Sequence, residues 1–187
     1  MNPMVVKILL LGDKGVGKSS IKGFFTGTHS SSITQGLAYA DIGSKTINTE
    51  NESLKLQLWD VDADIDKIIN SDTNIFIGVH GIVLIFDVSN IHSLDYIKNK
   101  IYPKISSLLD LRSIPIIIVG NKTDLRSEFE VGAMHVSYEM AMDTCNELSQ
   151  KGLIFLRIPY FEGSIEDPTS YDIIFQFITT KLLGMFS

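Results

Sequence analysis

The sequence is poor in cysteine, in net positive charge and in long apolar runs, and each absence excludes a class of protein. Cys145 is the only cysteine in 187 residues, so the chain forms no internal disulfide and we expect a reducing, cytoplasmic location. The 16 Lys and Arg residues are outnumbered by 22 Asp and Glu residues, which argues against nucleic acid as a partner and against adhesion to anionic membranes. No apolar run approaches the length of a membrane span.

The ends of the chain lack the signals that would direct it to a membrane. Met1-Asn2-Pro3-Met4 has no basic segment of a signal peptide, and position 2 is not the glycine that is myristoylated. Residues 182–187 contain no cysteine for a prenyl group. We therefore expect no lipid anchor or membrane span, with any membrane contact made through a partner. The length suits a single domain over residues 1–187.

Strand-like and helix-like segments alternate along the chain. The patterns predict strands at residues 4–11, 37–42, 54–59, 82–88, 114–119 and 154–160. They predict helices at 18–26, 65–77, 91–110, 137–150 and 169–183, with a kink or break at Pro103. Residues 82–86 and 114–119 are apolar at every position, which is typical of strands buried on both faces of a parallel sheet. The prediction is a doubly wound α/β domain with helices on both faces.

One part of the predicted sheet has a different pattern. Residues 54–59 alternate between apolar and polar side chains, and a polar stretch at 43–53 precedes them. Alternation indicates a strand with one face toward water, and the polar stretch is typical of a hairpin turn. We therefore predict an antiparallel edge over residues 37–60.

The motif Gly12-Asp13-Lys14-Gly15-Val16-Gly17-Lys18-Ser19, followed by Ser20, matches the phosphate-binding pattern G-x-x-x-x-G-K-[ST]. It lies between a predicted strand and a predicted helix, which is the context this pattern requires. Its backbone N–H groups and the helix N-terminus would bind phosphate. Lys18 would contact the β- and γ-phosphates, and the Ser19 hydroxyl would bind Mg²⁺. Lys14 has two interpretations: it extends into water, or it lies over the γ-phosphate.

A second motif, Asn121-Lys122-Thr123-Asp124, follows a predicted buried strand at the carboxyl end where open α/β sheets bind ligands. Asp124 can accept two parallel hydrogen bonds from N1–H and the exocyclic amine of guanine, a pair that adenine does not offer. Asn121 would tie this segment to the phosphate loop, and the Lys122 stem would lie along the purine face. Together the two motifs predict a guanine nucleotide site.

These motifs resemble the Ras superfamily of small GTPases, particularly its Rab-like members. Further matching segments are Leu58-Trp59-Asp60, Ile77-Gly78-Val79-His80-Gly81, Phe86-Asp87-Val88-Ser89-Asn90 and Glu162-Gly163-Ser164-Ile165-Glu166. The resemblance implies a small G domain with a six-stranded sheet that binds GTP, GDP and Mg²⁺. It also implies that effector or regulator proteins recognise the two switch regions.

The resemblance assigns roles to further residues. Asp60 corresponds to the aspartate that holds Mg²⁺ through water, and Thr34 to the switch I threonine that reaches Mg²⁺ when the γ-phosphate is present. Several Ser and Thr hydroxyls precede Thr34, so the choice among them stays open. Ser164 and Ile165 occupy the last guanine element, in which the Ile165 backbone N–H would contact the guanine oxygen.

Switch II departs from the family pattern. Where the family has D-T-A-G-Q, this chain has Asp60-Val61-Asp62-Ala63-Asp64. Ala63 replaces the glycine whose N–H contacts the γ-phosphate, and Asp64 is nearest to the missing glutamine that orients water. Asp62, Asp64 and Asp66 add negative charge where phosphate charge develops. Lys18 and Asp64 are the candidate catalytic residues, and we predict slow intrinsic hydrolysis.

Two functions fit this sequence. The first is a GTPase-like switch whose arrangement differs between GTP and GDP. The second is a non-hydrolysing GTP-binding scaffold subunit of a complex, which the altered switch II favours. The guanine motif and the small size disfavour an ATP-dependent kinase or transporter ATPase. The four histidines, His29, His80, His92 and His135, have no metal-ligand spacing.

Overall fold

Six strands form one sheet, and its central strands are the segments that are apolar at consecutive positions. The computed structural model describes residues 3–27, 40–48, 53–61, 65–67, 73–128, 134–152 and 157–186. The strands are β1 (Met4–Leu11), β2 (Ala40–Asn48), β3 (Ser53–Val61), β4 (Gly81–Asp87), β5 (Ile116–Asn121) and β6 (Tyr160–Gly163). Their order in the sheet is β2-β3-β1-β4-β5-β6. Of the strand pairs within the described residues, only β2–β3 is antiparallel, so the predicted mostly parallel α/β fold is confirmed.

Helices cover both faces of the sheet. They are α1 (Lys18–Thr26), α2 (Ile91–Tyr96), α3 (Tyr102–Leu108), α4 (Tyr138–Lys151) and α5 (Pro168–Phe186). Helices α1 and α5 pack on one face, and α2, α3 and α4 pack on the other. Within the described helices, none combines the length and the apolar character that crossing a membrane requires.

The central strands are buried on both faces because successive side chains belong to different cores. In β1, Ile8 and Leu10 pack toward α1 and α5, whereas Leu9 and Leu11 pack toward the opposite helices. This is the two-residue period of a strand. Every residue of β4 and β5 is buried, so a continuous apolar run was the right signal for these strands.

The antiparallel edge is confirmed, but the predicted turn was too long. Strand β2 continues to Asn48 and pairs with β3 from Ser53 onward, so residues 43–48 are strand rather than turn. Ser44, Lys45 and Thr46 are exposed, and polar side chains are usual on an edge strand. Residues 37–39 of the predicted strand lie outside the described residues.

The sixth strand begins later than its apolar run predicted. Strand β6 starts at Tyr160, and residues 157–159 are not strand; residues 153–156 lie outside the described part. Strand β5 likewise starts at Ile116 instead of 114, because Pro115 has no N–H to donate to a neighbouring strand. The Pro115 carbonyl still accepts a hydrogen bond from Ile82 N–H at 3.0 Å.

The helix predicted at 91–110 contains an irregular turn next to Pro103. A π-helical turn, Ile97–Ile101, joins α2 to α3, and Pro103 lies in the first turn of α3. Proline has no N–H to donate, and its ring pushes against the preceding turn. The helix therefore widens into the π-helical turn and then continues. Of the helix predicted at 65–77, residues 65–67 are helical and Thr73–Phe76 is a 3₁₀ turn; residues 68–72 lie outside the described part. The helices predicted at 18–26, 137–150 and 169–183 are confirmed.

Candidate functional site

The phosphate loop and the N-K-x-D segment meet at the carboxyl ends of the parallel strands. The loop follows β1, and the second motif begins at the last residue of β5. The Asn121 side chain, 3% exposed, donates from Nδ2 to the Val16 carbonyl at 2.8 Å. This is the predicted tie between the two motifs. The contact requires glycine at position 17, because φ there is +99° and a Cβ would lie 2.2 Å from Asn121 Nδ2.

The start of α1 has the properties of an anion site. Its N-cap residue, Gly17, is left-handed and provides no side-chain cap, and the helix itself does not satisfy its first backbone N–H groups, such as those of Ser19 and Ser20. Lys18 is 5% exposed and donates from Nζ to the carbonyls of Gly12 and Asp13, at 3.1 and 2.8 Å. A buried ammonium and helix N–H groups on one loop favour a phosphate.

The outer part of the loop faces solvent. Lys14 and Gly15 are exposed, which agrees with the interpretation that the Lys14 side chain extends into water. The Asp13 carboxylate accepts the Lys14 backbone N–H at 2.7 Å, which stabilises the turn locally. Val16 is 1% exposed and belongs to the core beneath α1 and α5. The loop is therefore anchored to the core through Val16, while residues 13–15 form its outer part, toward solvent.

Ser19 and Asp60 form the centre of what we term the metal corner: Ser19, Lys22, Asp41 and Asp60. Ser19 Oγ donates to Asp60 Oδ2 at 2.5 Å, and Asp60, near the end of β3, is 2% exposed. Hydroxyl and carboxylate oxygens are the ligands that Mg²⁺ prefers, so these two residues fit a magnesium ion.

The metal corner also contains an ion pair that the sequence did not predict. Lys22 is 4% exposed; its Nζ pairs with Asp41 Oδ2 and lies 4.0 Å from Asp60 Oδ2. The available signal was periodicity, because Lys18, Ile21, Lys22 and Phe25 follow the i, i+3, i+4, i+7 spacing of a buried helix face. A lysine within such a stripe indicates a buried acidic partner.

The guanine corner, defined as Asn121, Lys122, Asp124, Ser164 and Tyr171, is held by side-chain hydrogen bonds. Ser164, 3% exposed, donates from Oγ to Asp124 Oδ1, so the N-K-x-D segment and the last guanine element are in contact. Lys122 has φ of +64° and its Nζ pairs with Asp87 Oδ2 at 2.6 Å. Ile165, which follows Ser164 in the last guanine element, is 58% exposed.

Tyr171 of α5 was not predicted as part of the site. Its hydroxyl donates to Asn121 Oδ1 at 2.6 Å. Burial, together with the negative charge of Asp124, raises the pKa of Tyr171 to about 12, so the hydroxyl remains a donor at neutral pH. A tyrosine early in an amphipathic helix resembles ordinary core sequence, so no local signal distinguished it.

An Arg–Glu pair supports the same corner from outside. Arg126 binds the Glu162 carboxylate through both terminal nitrogens, at 2.7 and 2.6 Å. Tyr160 donates to the same carboxylate at 2.7 Å. A bidentate guanidinium–carboxylate pair fixes orientation as well as distance. It therefore connects the 3₁₀ turn after Asn121 (Thr123–Glu128) to β6.

Several predicted residues of the switch regions lie outside the described residues: Thr34, Asp62, Ala63 and Asp64. Asp66 is described, and its Oδ1 pairs with Lys104 Nζ of α3 at 3.0 Å. The Lys104 ammonium therefore offsets part of the negative charge that Asp66 is expected to add beside the phosphates.

The described residues hold no metal-binding cluster of histidines, and one apolar cavity lies apart from the predicted site residues. Within the described part of the chain, no three His, Cys, Asp or Glu side chains are arranged to hold a metal, and His29 lies outside it. His80 accepts the Lys7 backbone N–H at 3.2 Å. A cavity of about 630 Å³ lies at the amino ends of β5 and β6, lined mainly by apolar side chains such as Ile116, Ile158 and Phe177. None of its lining residues is a predicted site residue.

The chain is similar to known proteins along nearly its whole length. A model of the Ras family matches residues 7–183. Ras-related protein Rab-11A of Dictyostelium discoideum is 29% identical, over 97% of this chain and 77% of its own length. Ras-related protein Rab7 of Glycine max is 29% identical over 96% and 83%, and GTP-binding protein ypt1 of Schizosaccharomyces pombe is 28% identical over 92% and 78%. With the phosphate loop and the N-K-x-D segment joined at one sheet edge, the match means that this chain belongs to the Ras family.

Proposed function

We propose that this chain binds GTP and GDP together with Mg²⁺ and works as a small GTPase-like switch with slow intrinsic hydrolysis. The observation that carries the proposal is the 2.8 Å hydrogen bond from Asn121 Nδ2 to the Val16 carbonyl. It joins the phosphate-binding loop after β1 to the guanine-binding segment at the end of β5. One ligand with a phosphate chain and a guanine base would therefore contact both.

The phosphates are proposed to bind the loop over residues 13–20. Lys18 would exchange its two loop carbonyls for phosphate oxygens, and the N–H groups at the start of α1 would complete the anion site. Mg²⁺ supplies charge neutralisation at the phosphates when bound; Ser19 and Thr34 are proposed to bind it, and Asp60 would hold it through water. The Ala63 N–H is the proposed γ-phosphate contact in switch II.

The base is proposed to bind the guanine corner. Asp124 is exposed at the surface and already accepts a hydrogen bond from Ser164, so its carboxylate is held in one orientation. Such preorganisation reduces the entropy lost on binding. The stem of Lys122 would lie along the purine face, and the Ile165 N–H would donate to the guanine oxygen.

Guanine selectivity is tested with Asp124→Asn. The new amide can accept one hydrogen bond where the carboxylate accepts two, so we expect GTP affinity to fall about a hundredfold (~2.7 kcal/mol) and preference to move toward xanthine nucleotides. The measurement is a competition titration with GTP, XTP and ATP. Asp143→Asn, at an exposed position of α4, is the matched control and should bind as the wild type does. Equal affinity of the wild type for ATP and GTP would refute the proposal.

Slow hydrolysis is proposed because the chemistry of switch II is unfavourable. Asp64 is shorter than the missing glutamine, and its ionised carboxylate repels the γ-phosphate. We expect a single-turnover rate at or below roughly 3–5 × 10⁻⁴ s⁻¹, the intrinsic rate of Ras. Asp64→Gln should raise it, whereas Asp66→Asn should not, because Asp66 is paired with Lys104. Faster turnover in the unaided wild type would mean that another residue, such as Lys14 or Gln35, positions water.

A non-hydrolysing scaffold is the second candidate, favoured by the sequence Asp60-Val61-Asp62-Ala63-Asp64. Both candidates bind GTP, but only the switch converts it to GDP and changes partners accordingly. Analysis of the nucleotide eluted from freshly purified protein, before and after incubation, separates them. GTP that persists through incubation, with equal partner binding in both nucleotide states, would establish the scaffold.

The remaining expectations concern organisation and partners. We propose a single domain over residues 1–187 whose switch regions bind effector or regulator proteins. A cytoplasmic location remains a prediction that rests on the single cysteine. Limited proteolysis with and without nucleotide tests the domain proposal, since one protected fragment spanning both motifs is expected.

A further inference from the structure

A buried lysine lies beside the proposed Mg²⁺ ligands. Lys22 is on α1, one turn after Lys18 and Ser19, and its side chain is 5% exposed. Its Nζ pairs with Asp41 Oδ2 on β2 and lies 4.0 Å from Asp60 Oδ2 on β3. The same Asp60 oxygen accepts the Ser19 hydroxyl. One carboxylate oxygen therefore faces both the ammonium and the proposed metal-binding hydroxyl.

The strand register explains why an ammonium is needed there. Asp41 and Asp60 are directly opposite each other in the antiparallel β2–β3 pair, where two like charges are destabilising. The Asp60 side chain is buried, at 3% exposed, and the Asp41 side chain is partly buried, at 27% exposed. The Lys22 ammonium balances one of the two negative charges, so one excess negative charge remains.

The surrounding structure makes room for the lysine. A Cβ at Gly43 of β2 would lie 3.1 Å from Lys22 Cγ and 2.9 Å from Thr26 Cγ2. The absence of a side chain at that position lets α1 approach β2 closely, and the lysine stem passes through the space. The second carboxylate oxygen of Asp41, Oδ1, has no hydrogen-bond partner within the described residues. Lys22 is therefore the main group that holds the Asp41 side chain.

We propose that Lys22 is an internal counter-cation that competes with Mg²⁺ for Asp60 and thereby lowers the affinity of the site for the metal. The inference rests on the proposed function, because it concerns Mg²⁺ bound with a guanine nucleotide. Asp41 draws the ammonium away from Asp60 and moderates the competition. Lys22 is thus a positioning residue that sets how strongly nucleotide retention depends on Mg²⁺.

Two single substitutions are expected to act in opposite directions. Lys22→Met removes the competing charge and leaves two carboxylates, so the site should bind Mg²⁺ more tightly. Asp41→Asn leaves the ammonium with Asp60 as its carboxylate partner, so the site should bind Mg²⁺ more weakly. We expect the Mg²⁺ concentration for half-maximal retention of fluorescent GDP to change about tenfold each way (~1.4 kcal/mol). The double variant should lie near the wild type.

The experiment is a titration with Mg²⁺ in a chelating buffer, using the full chain loaded with fluorescent GDP and following its release. Lys45→Met is the matched control, because Lys45 is an exposed lysine on β2 whose ammonium lies over the Phe25 ring; its midpoint should equal that of the wild type. If Lys22→Met does not fold, Asp41→Asn still tests the direction of the shift.

The outcomes separate the two proposals. Wild-type protein that binds no GDP at saturating Mg²⁺ overturns the proposed function, and the inference with it. Wild-type protein that binds GDP, with both single variants shifting the midpoint in the same direction or leaving it unchanged, overturns the inference alone, because a lysine that only supports packing gives that result. A lower midpoint for Lys22→Met together with a higher midpoint for Asp41→Asn establishes the competition, and the reverse pair of shifts overturns it.

Discussion

The guanine corner and the metal corner are built at the same sheet edge by different kinds of interaction. The guanine corner is assembled from hydrogen bonds that run into the core, from Val16 through Asn121 to Tyr171. The metal corner is assembled from charges, with one ammonium between two carboxylates. Hydrogen bonds fix the positions of the groups that they join. A cluster with more negative than positive charges instead rearranges when a cation is added. We infer that the guanine corner is already formed without the proposed nucleotide, whereas the metal corner would adjust to the proposed Mg²⁺.

The largest effect is expected from breaking the guanine corner at Asn121. Asn121→Ala leaves the Val16 carbonyl and the Tyr171 hydroxyl without their partner in a buried place. At roughly 1–3 kcal/mol for each unsatisfied group, we expect a loss of about 3 kcal/mol in the free energy of unfolding, even without nucleotide. Urea denaturation of nucleotide-stripped protein measures it. Asn48→Ala, at an exposed end of β2, should change stability by less than about 1 kcal/mol; equal effects would contradict a preformed corner.

A smaller effect, visible only with ligand, is expected at Lys18. In the wild type, GTP with Mg²⁺ at a hundredfold excess over Kd should add about 2.7 kcal/mol to the free energy of unfolding. Lys18→Ala should abolish most of this gain, because a buried ammonium no longer faces the phosphates. Thermal denaturation of stripped and loaded protein gives the comparison. The same melting temperature for stripped and loaded wild type would mean that the phosphate loop binds nothing.

The smallest effect is expected at Tyr171. Tyr171→Phe removes one buried hydrogen bond and should cost about 1 kcal/mol at neutral pH. The pKa of about 12 in the folded protein lies above the ordinary value near 10. The contribution of the Tyr171 hydroxyl to the free energy of unfolding is therefore fully present below pH 10, and it is lost as the pH rises toward 12. Denaturation of both proteins at pH 8 and pH 11 tests this, since the stability difference should shrink at the higher pH; a constant difference would contradict the assignment.

Much of the fold was predictable because its signals are local. The apolar runs of β1, β4 and β5 identified strands buried on both faces, and the helical periods located α1, α4 and α5. The misplaced boundaries have physical causes. Edge-strand residues such as Ser44 and Lys45 are polar because they face water, so they resemble a turn. Pro115 is apolar but cannot donate to the sheet, so an apolar run overstates the strand.

The sequence by itself determined the phosphate loop, the N-K-x-D segment and the family, because each depends on residues close together in the chain and on their order. The tertiary structure alone decided which distant side chains support them. Tyr171 bonds Asn121 across 50 positions, and Lys22 pairs with Asp41 across 19. The second pairing depends on the β2–β3 register, which sets Asp41 opposite Asp60. Register and helix packing are properties of the folded chain, so the helical spacing that indicates a buried partner for Lys22 could not say that this partner lies beside the proposed Mg²⁺ ligands.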